Sequence, residues 1–101
     1  MTVESYPNAA LSAEVASQVG TLFPSATVTV LRYRDWSSAL FSGVRVTVAI
    51  EQPEGSEFDQ AVAHMTGEWE PRFTAHFAAS CDLISRSDQR AEVELLLVDE
   101  N

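Results

Sequence analysis

A chain of 101 residues has room for one domain, and 46% hydrophobic with 21% charged residues is the balance of a packed globule, which excludes a disordered chain. Fifteen acids face six arginines and no lysine, so the formal net charge is −9, a field that repels nucleic acid and anionic membrane as direct partners. The charge is unevenly divided: residues 1–50 hold three acids and three arginines and sum to zero, while residues 51–101 hold twelve acids and three arginines and carry the whole −9.

Taken in chain order, Leu11, Val15, Val19 and Leu22 recur at helical spacing and predict a helix over 9–20, capped by Asn8 and closed by Gly20 and Pro24. Residues 26–34 are rich in β-branched side chains and read as the first strand, followed by a connection over 35–43. In the second strand Val44, Val46, Val48 and Ile50 face one way and Arg45, Thr47, Ala49 and Glu51 the other, the mark of a sheet with one wet face. A turn over 52–55 and a cap at Ser56 introduce a second helix over 57–66, with Phe58, Ala61, Val62 and Met65 on one stripe. Residues 69–84 alternate so regularly, with Trp69, Phe73, Phe77, Cys81 and Leu83 against Glu70, Arg72, Thr74, His76 and Asp82, that a strand is favoured over a helix. A loop over 85–89 then leads to a last strand over 91–98, and the ends, 1–7 and 99–101, are expected to fray.

The order α-β-β-α-β-β predicts a two-layer α+β domain, two helices over one face of a four-stranded, mostly antiparallel sheet. The two αββ units follow one another with similar lengths but without convincing residue identity, so an internal repeat is suggested by order alone. The bare face of the sheet would carry Arg45, Thr47, Glu51, Arg72, Thr74, His76 and Glu94.

Few residues invite catalysis. His64 and Glu68 lie four apart, too few ligands for a metal. Cys81 and His76 differ by an odd number, so a strand sends them to opposite faces, and Cys81 falls with the apolar set as an inert thiol. No metal-binding, nucleophile-elbow or phosphate-loop motif occurs, so no cofactor, no metal and no enzymatic activity are expected. One cysteine closes no intrachain disulfide, no apolar run reaches the ~20 residues of a membrane span, and the first residues lack the basic and apolar parts of a secretory signal. A cytoplasmic location without membrane association is therefore expected.

Two features suit recognition of a protein partner. Arg32, Tyr33, Arg34, Trp36 and Phe41 cluster within ten residues, and these side-chain types dominate interface energetics. Arg32 and Arg34 also share a strand face and could grip carboxylates together. The plainer reading has Trp36 and Phe41 folding back to plug the core. Glu51, Glu54, Glu57, Asp59, Glu68 and Glu70 form a run without a cation between them, suited to a basic surface or simply to solvent and the helix dipole. The leading expectation is a non-enzymatic, acidic protein-interaction domain. In size and charge it compares with small inhibitors, immunity proteins, secretion chaperones and phage accessory factors. Alternatives are a homo-oligomeric structural subunit of a larger assembly, such as a phage part, and a small-molecule-binding domain or enzyme using His64, Glu68 and His76.

Overall fold

The computed structural model describes residues 9–52 and 57–100. Helix α1 (Ala9–Leu22) leads to strands β1 (Thr27–Ser37) and β2 (Ser42–Glu51), then helix α2 (Glu57–Gly67) and strands β3 (His76–Ser87) and β4 (Arg90–Asp99). The predicted order and α+β architecture are both present: the strands form one antiparallel sheet in the spatial order β1-β2-β4-β3.

The alternation in β2 decides where the core lies. Val46, Val48 and Ile50 are fully buried and pair in register with Leu95, Val93 and Ala91 of β4, so the central strands present a continuous apolar surface. The i, i+4 spacing of Leu11, Val15 and Val19 in α1, and the i, i+4, i+7 spacing of Phe58, Val62 and Met65 in α2, turn one stripe of each helix onto that surface. Among the described residues no helix lies over the other face of the sheet. Phe23, just past α1, packs edge-to-face on Phe58 of α2 with ring centroids 5.6 Å apart, and so joins the two helices.

The two αββ units are related by an approximate two-fold axis through the Val48–Val93 pair at the centre of the sheet. In β1 one residue, Leu31, bulges between Val30, opposite Val48, and Arg32, opposite Thr47. In β3 Ile84 bulges between Leu83, opposite Val93, and Ser85, opposite Glu92. The same irregularity stands at the same place in both units, although little beyond the central Val48 and Val93 is shared in sequence, so the likeness of the halves lies in their strand register. A third register shift, at Ala79, has no counterpart in β1. Such shifts bend a strand and raise its twist.

Several boundaries differ from the sequence reading. Trp69 and Phe73 belong to an irregular connection, not to a strand: β3 begins only at His76 and continues to Ser87. Phe73 is nevertheless buried and Trp69 packs against the core, so their apolar spacing reflects burial without strand pairing. Thr74 is held off the sheet by Glu14 of α1, which accepts bonds from its backbone N–H (3.2 Å) and its hydroxyl. Those bonds hold the Glu14 carboxyl below its ordinary range. The connection predicted over 35–43 shrinks to residues 38–41, and the hairpin loop predicted over 85–89 shrinks to Asp88 and Gln89. Asp99, expected to fray, pairs with His76 in the sheet, and Glu100 N–H donates to the Ala75 carbonyl. The expected caps Asn8 and Ser56, most of the turn over 52–55 with Glu54, and the ends 1–7 and Asn101 lie outside the described residues.

Candidate functional site

The pairing registers place side chains of the bare sheet face in rows that cross all four strands. At one end stand Trp36, Gly43, Val98 and Phe77. The next row is Arg34, Arg45, Leu96 and Ser80, and the third is Arg32, Thr47, Glu94 and Asp82. At the far end Glu51, Arg90 and, one row inward, Glu92 form an ion triad, both bonds from Arg90 being 2.8 Å. The two carboxylates raise the Arg90 pKa, Glu92 more than Glu51.

Four of the six arginines thus lie on this face with four carboxylates, Glu51, Asp82, Glu92 and Glu94, so the face is neutral in a chain of charge −9. The distribution is polar. Arg32, Arg34 and Arg45 occupy the β1–β2 side, and Asp82, Glu92 and Glu94 the β4–β3 side. Arg45 meets Glu94 at 3.2 Å across the centre. Arg32 and Arg34 are exposed and form no ion pair among the described residues, although the chain offers an excess of carboxylates. Between the arginines and Ile84 lies a shallow depression of about 240 Å³, floored by Thr47 and bordered by Glu94. Thr47 on that floor and Ala49, the next residue of β2 on this face, are only 3% and 2% exposed, with no helix above them among the described residues.

The expected hairpin cluster is therefore divided. Arg32 and Arg34 share the bare face, as their spacing requires, and Trp36 lies half-buried beside them in β1. Tyr33 points to the helices, where its hydroxyl meets Ser12 of α1 at 2.6 Å; burial pushes the phenol pKa up while that bond opposes the rise. Phe41 and Leu40 sit at the hairpin tip with 53% and 84% exposure, so Phe41 does not plug the core. Trp36 is absent from the core cluster as well.

The acidic run is partly compensated. Glu51 is bound by Arg90, Asp59 by Arg86, and Glu68 lies 3.6 Å from His64. Glu57 and Glu70 have no ion-pair partner among the described residues, and neither has Arg72. Two of the carboxylates read from sequence as open charge are thus tied within the chain. Arg72 and Thr74, expected on the bare face, precede β3 and are not part of the sheet.

The residues that invited a chemical reading do not converge. His76 lies at the sheet's end with its Nε2 3.0 Å from Asp99, whose other oxygen accepts a 2.9 Å bond from Ser42. These groups line a basin of about 550 Å³ with Asp35, Ser37 and Leu11, and neither His64 nor Glu68 is among its lining residues. The carboxylate stands between the imidazole and the hydroxyl, so His76 is not placed to take a proton from Ser42. The Ala79 bulge reverses the expected parity: His76 and Cys81 fall on the same side of β3, opposite Asp99 and Leu95. Four residues of β4 separate those partners, about 13 Å at ~3.3 Å per residue, too far for a thiol–imidazole pair. Burial, with a smaller effect from Asp82, pushes the Cys81 thiol up to about 12, which keeps it protonated and unreactive. Among the described residues no group of three or more His, Cys, Asp and Glu is placed to hold a metal, and no helix is long and apolar enough to cross a membrane.

Sequence reasoning read Asp82 on the polar side correctly, but it missed Phe77 and Ile84 on the bare face and put His76 there, whereas His76 pairs with Asp99 on the helix-facing side. The alternation it used assumed an unbroken strand, and two bulges shift the parity. Compared with known proteins, the chain matches no family model, no curated protein and no solved structure.

Proposed function

We propose that this chain is a non-enzymatic protein-interaction domain that docks its partner through the bare face of the sheet. The single observation that supports this reading is that Arg32 and Arg34 form no ion pair among the described residues. In a chain with fifteen acids, Arg45, Arg86 and Arg90 each hold a carboxylate, while two neighbouring arginines on one sheet face hold none among the described residues. A guanidinium fork keeps its pairing capacity for a carboxylate outside the chain. Around it stand the side-chain types that carry interface energy: Trp36 is half-buried, while Phe77 and Ile84 are 42% and 51% exposed. The partner chemistry follows from the charges: the β1–β2 side of this face recognises carboxylates, and the acidic run is left as solvated surface.

A photo-crosslinking side chain tests this. Placed at position 32 it captures a discrete protein adduct in cells, and placed at Ala63, on the exposed side of α2, it captures none. Capture from position 63 alone, or from neither position, overturns the reading.

A further inference from the structure

Resting on that reading, we infer that the partner is a second copy of this chain, and that two copies stack bare face to bare face about a two-fold axis parallel to the strands. Such a rotation carries β1 of one copy over β3 of the other and leaves each row at its own height. The consequences can be read row by row. Arg32 comes to face Asp82 of the second copy, and by symmetry Asp82 faces the second Arg32. Neither group has an ion-pair partner within its own chain among the described residues. Trp36 comes over Phe77 of the second copy, above the glycine and valine that separate them in the row. Arg32 is the one β1–β2 arginine set directly opposite a carboxylate; Arg34 comes over Ser80 and Arg45 over Leu96, one row from Asp82 and Glu94, and Glu51 comes over Arg90, so the arginine-rich side of one copy lies on the carboxylate-rich side of the other, as an isologous interface requires.

Net charge and area agree with this occupant. Two molecules of charge −9 repel, and the bare sheet face is a surface where the charges of this chain cancel. Four strands about 4.8 Å apart and about ten residues long offer roughly 650 Å² per copy, or roughly 1,300 Å² in total. Stable interfaces begin at about 1,200 Å². Two twisted sheets pack at about −30° and 10 Å apart, and the small Thr47 and Ala49 of β2 leave room for Glu94 and Glu92 of the second copy's β4, which lie over them.

Sedimentation equilibrium on the whole chain tests the inference. The wild-type protein is expected to run at twice its 11.1 kDa mass at micromolar concentration. Arg32→Glu and Asp82→Arg each place like charges opposite one another twice and weaken association about 100-fold. Both side chains are exposed, and circular dichroism of each variant checks that the fold is unchanged. Combining the two substitutions in one chain restores the dimer, and mixing the two monomeric single variants forms one as well. A wild-type monomer up to millimolar concentration overturns the inference, as does a dimer that survives both single substitutions or a double variant that stays monomeric. The crosslink at position 32 separates the two failures: a monomer that still captures a different protein leaves the interaction reading standing, and one that captures nothing removes both.

Discussion

The two αββ units solve one structural problem with different chemistry. The problem is how to fasten a helix to the outer strand of its own unit. Equivalent positions, two residues past the Leu31 and Ile84 bulges, do this in each half. In the first unit Tyr33 reaches Ser12 of α1 through a hydroxyl pair at 2.6 Å. In the second unit Arg86 reaches Asp59 of α2 and lies over the Phe58 ring, 4.4 Å from its centroid. The neutral half uses a neutral bond and the acidic half an ionic one. Fold and charge are therefore set independently, and the charge difference between the halves is left for the surface to express.

The comparison can be broken most severely at Gly43. A Cβ there would collide with the Leu97 carbonyl, which lies in the adjoining central strand. Gly43→Ala is expected to cost about 3 kcal/mol, whereas Asp88→Ala at the matching place in the second unit costs under about 1 kcal/mol. Chemical denaturation of both variants checks this, and equal losses would mean that the units are constrained alike. A finer test removes the fasteners. Tyr33→Phe should cost about 1 kcal/mol irrespective of salt. Arg86→Met should cost about 0.5 kcal/mol at low salt, since Asp59 is largely exposed, and less still in 1 M salt. A salt-dependent loss in Tyr33→Phe would refute the distinction.

The smallest expected effect concerns acid. Glu14 has its pKa lowered by the hydrogen bonds from Thr74, so the unfolded chain takes up this proton more readily than the folded one. The stabilisation is present above the unfolded value near 4.5 and disappears as pH falls through the lower folded value. Glu14→Gln should therefore flatten the acid side of a Tm-against-pH curve while lowering Tm slightly at neutral pH. An unchanged acid limb would show that the Thr74 tether does not contribute.

Most of the architecture was legible because β2 and the two helices obey their periods without interruption. Val46, Val48 and Ile50, and the stripes from Leu11 and Phe58, announce both layers directly. Residues 69–75 were misread because burial and strand pairing leave the same alternating trace in a sequence, and only the tether of Thr74 to Glu14 separates them in space. The Arg32–Arg34 pair was legible for the same reason as β2: no bulge falls between them. Phe77 was not, since Ala79 carries no residue type that signals an extra position in the strand. Nor does sequence show pairing. Asp59 and Glu51 look as free as Glu57 until the fold brings Arg86 and Arg90 beside two of them.

The three register shifts all fall in the outer strands, and the central pair has none. A kinked border is a poor template for the next chain, so lateral growth into fibrils is discouraged at both margins of the sheet. The proposed stacking would use up the one uncovered sheet face found among the described residues. Sideways addition is open-ended and facial addition closes at two, so these misaligned positions bias the protein towards a finite particle over a polymer.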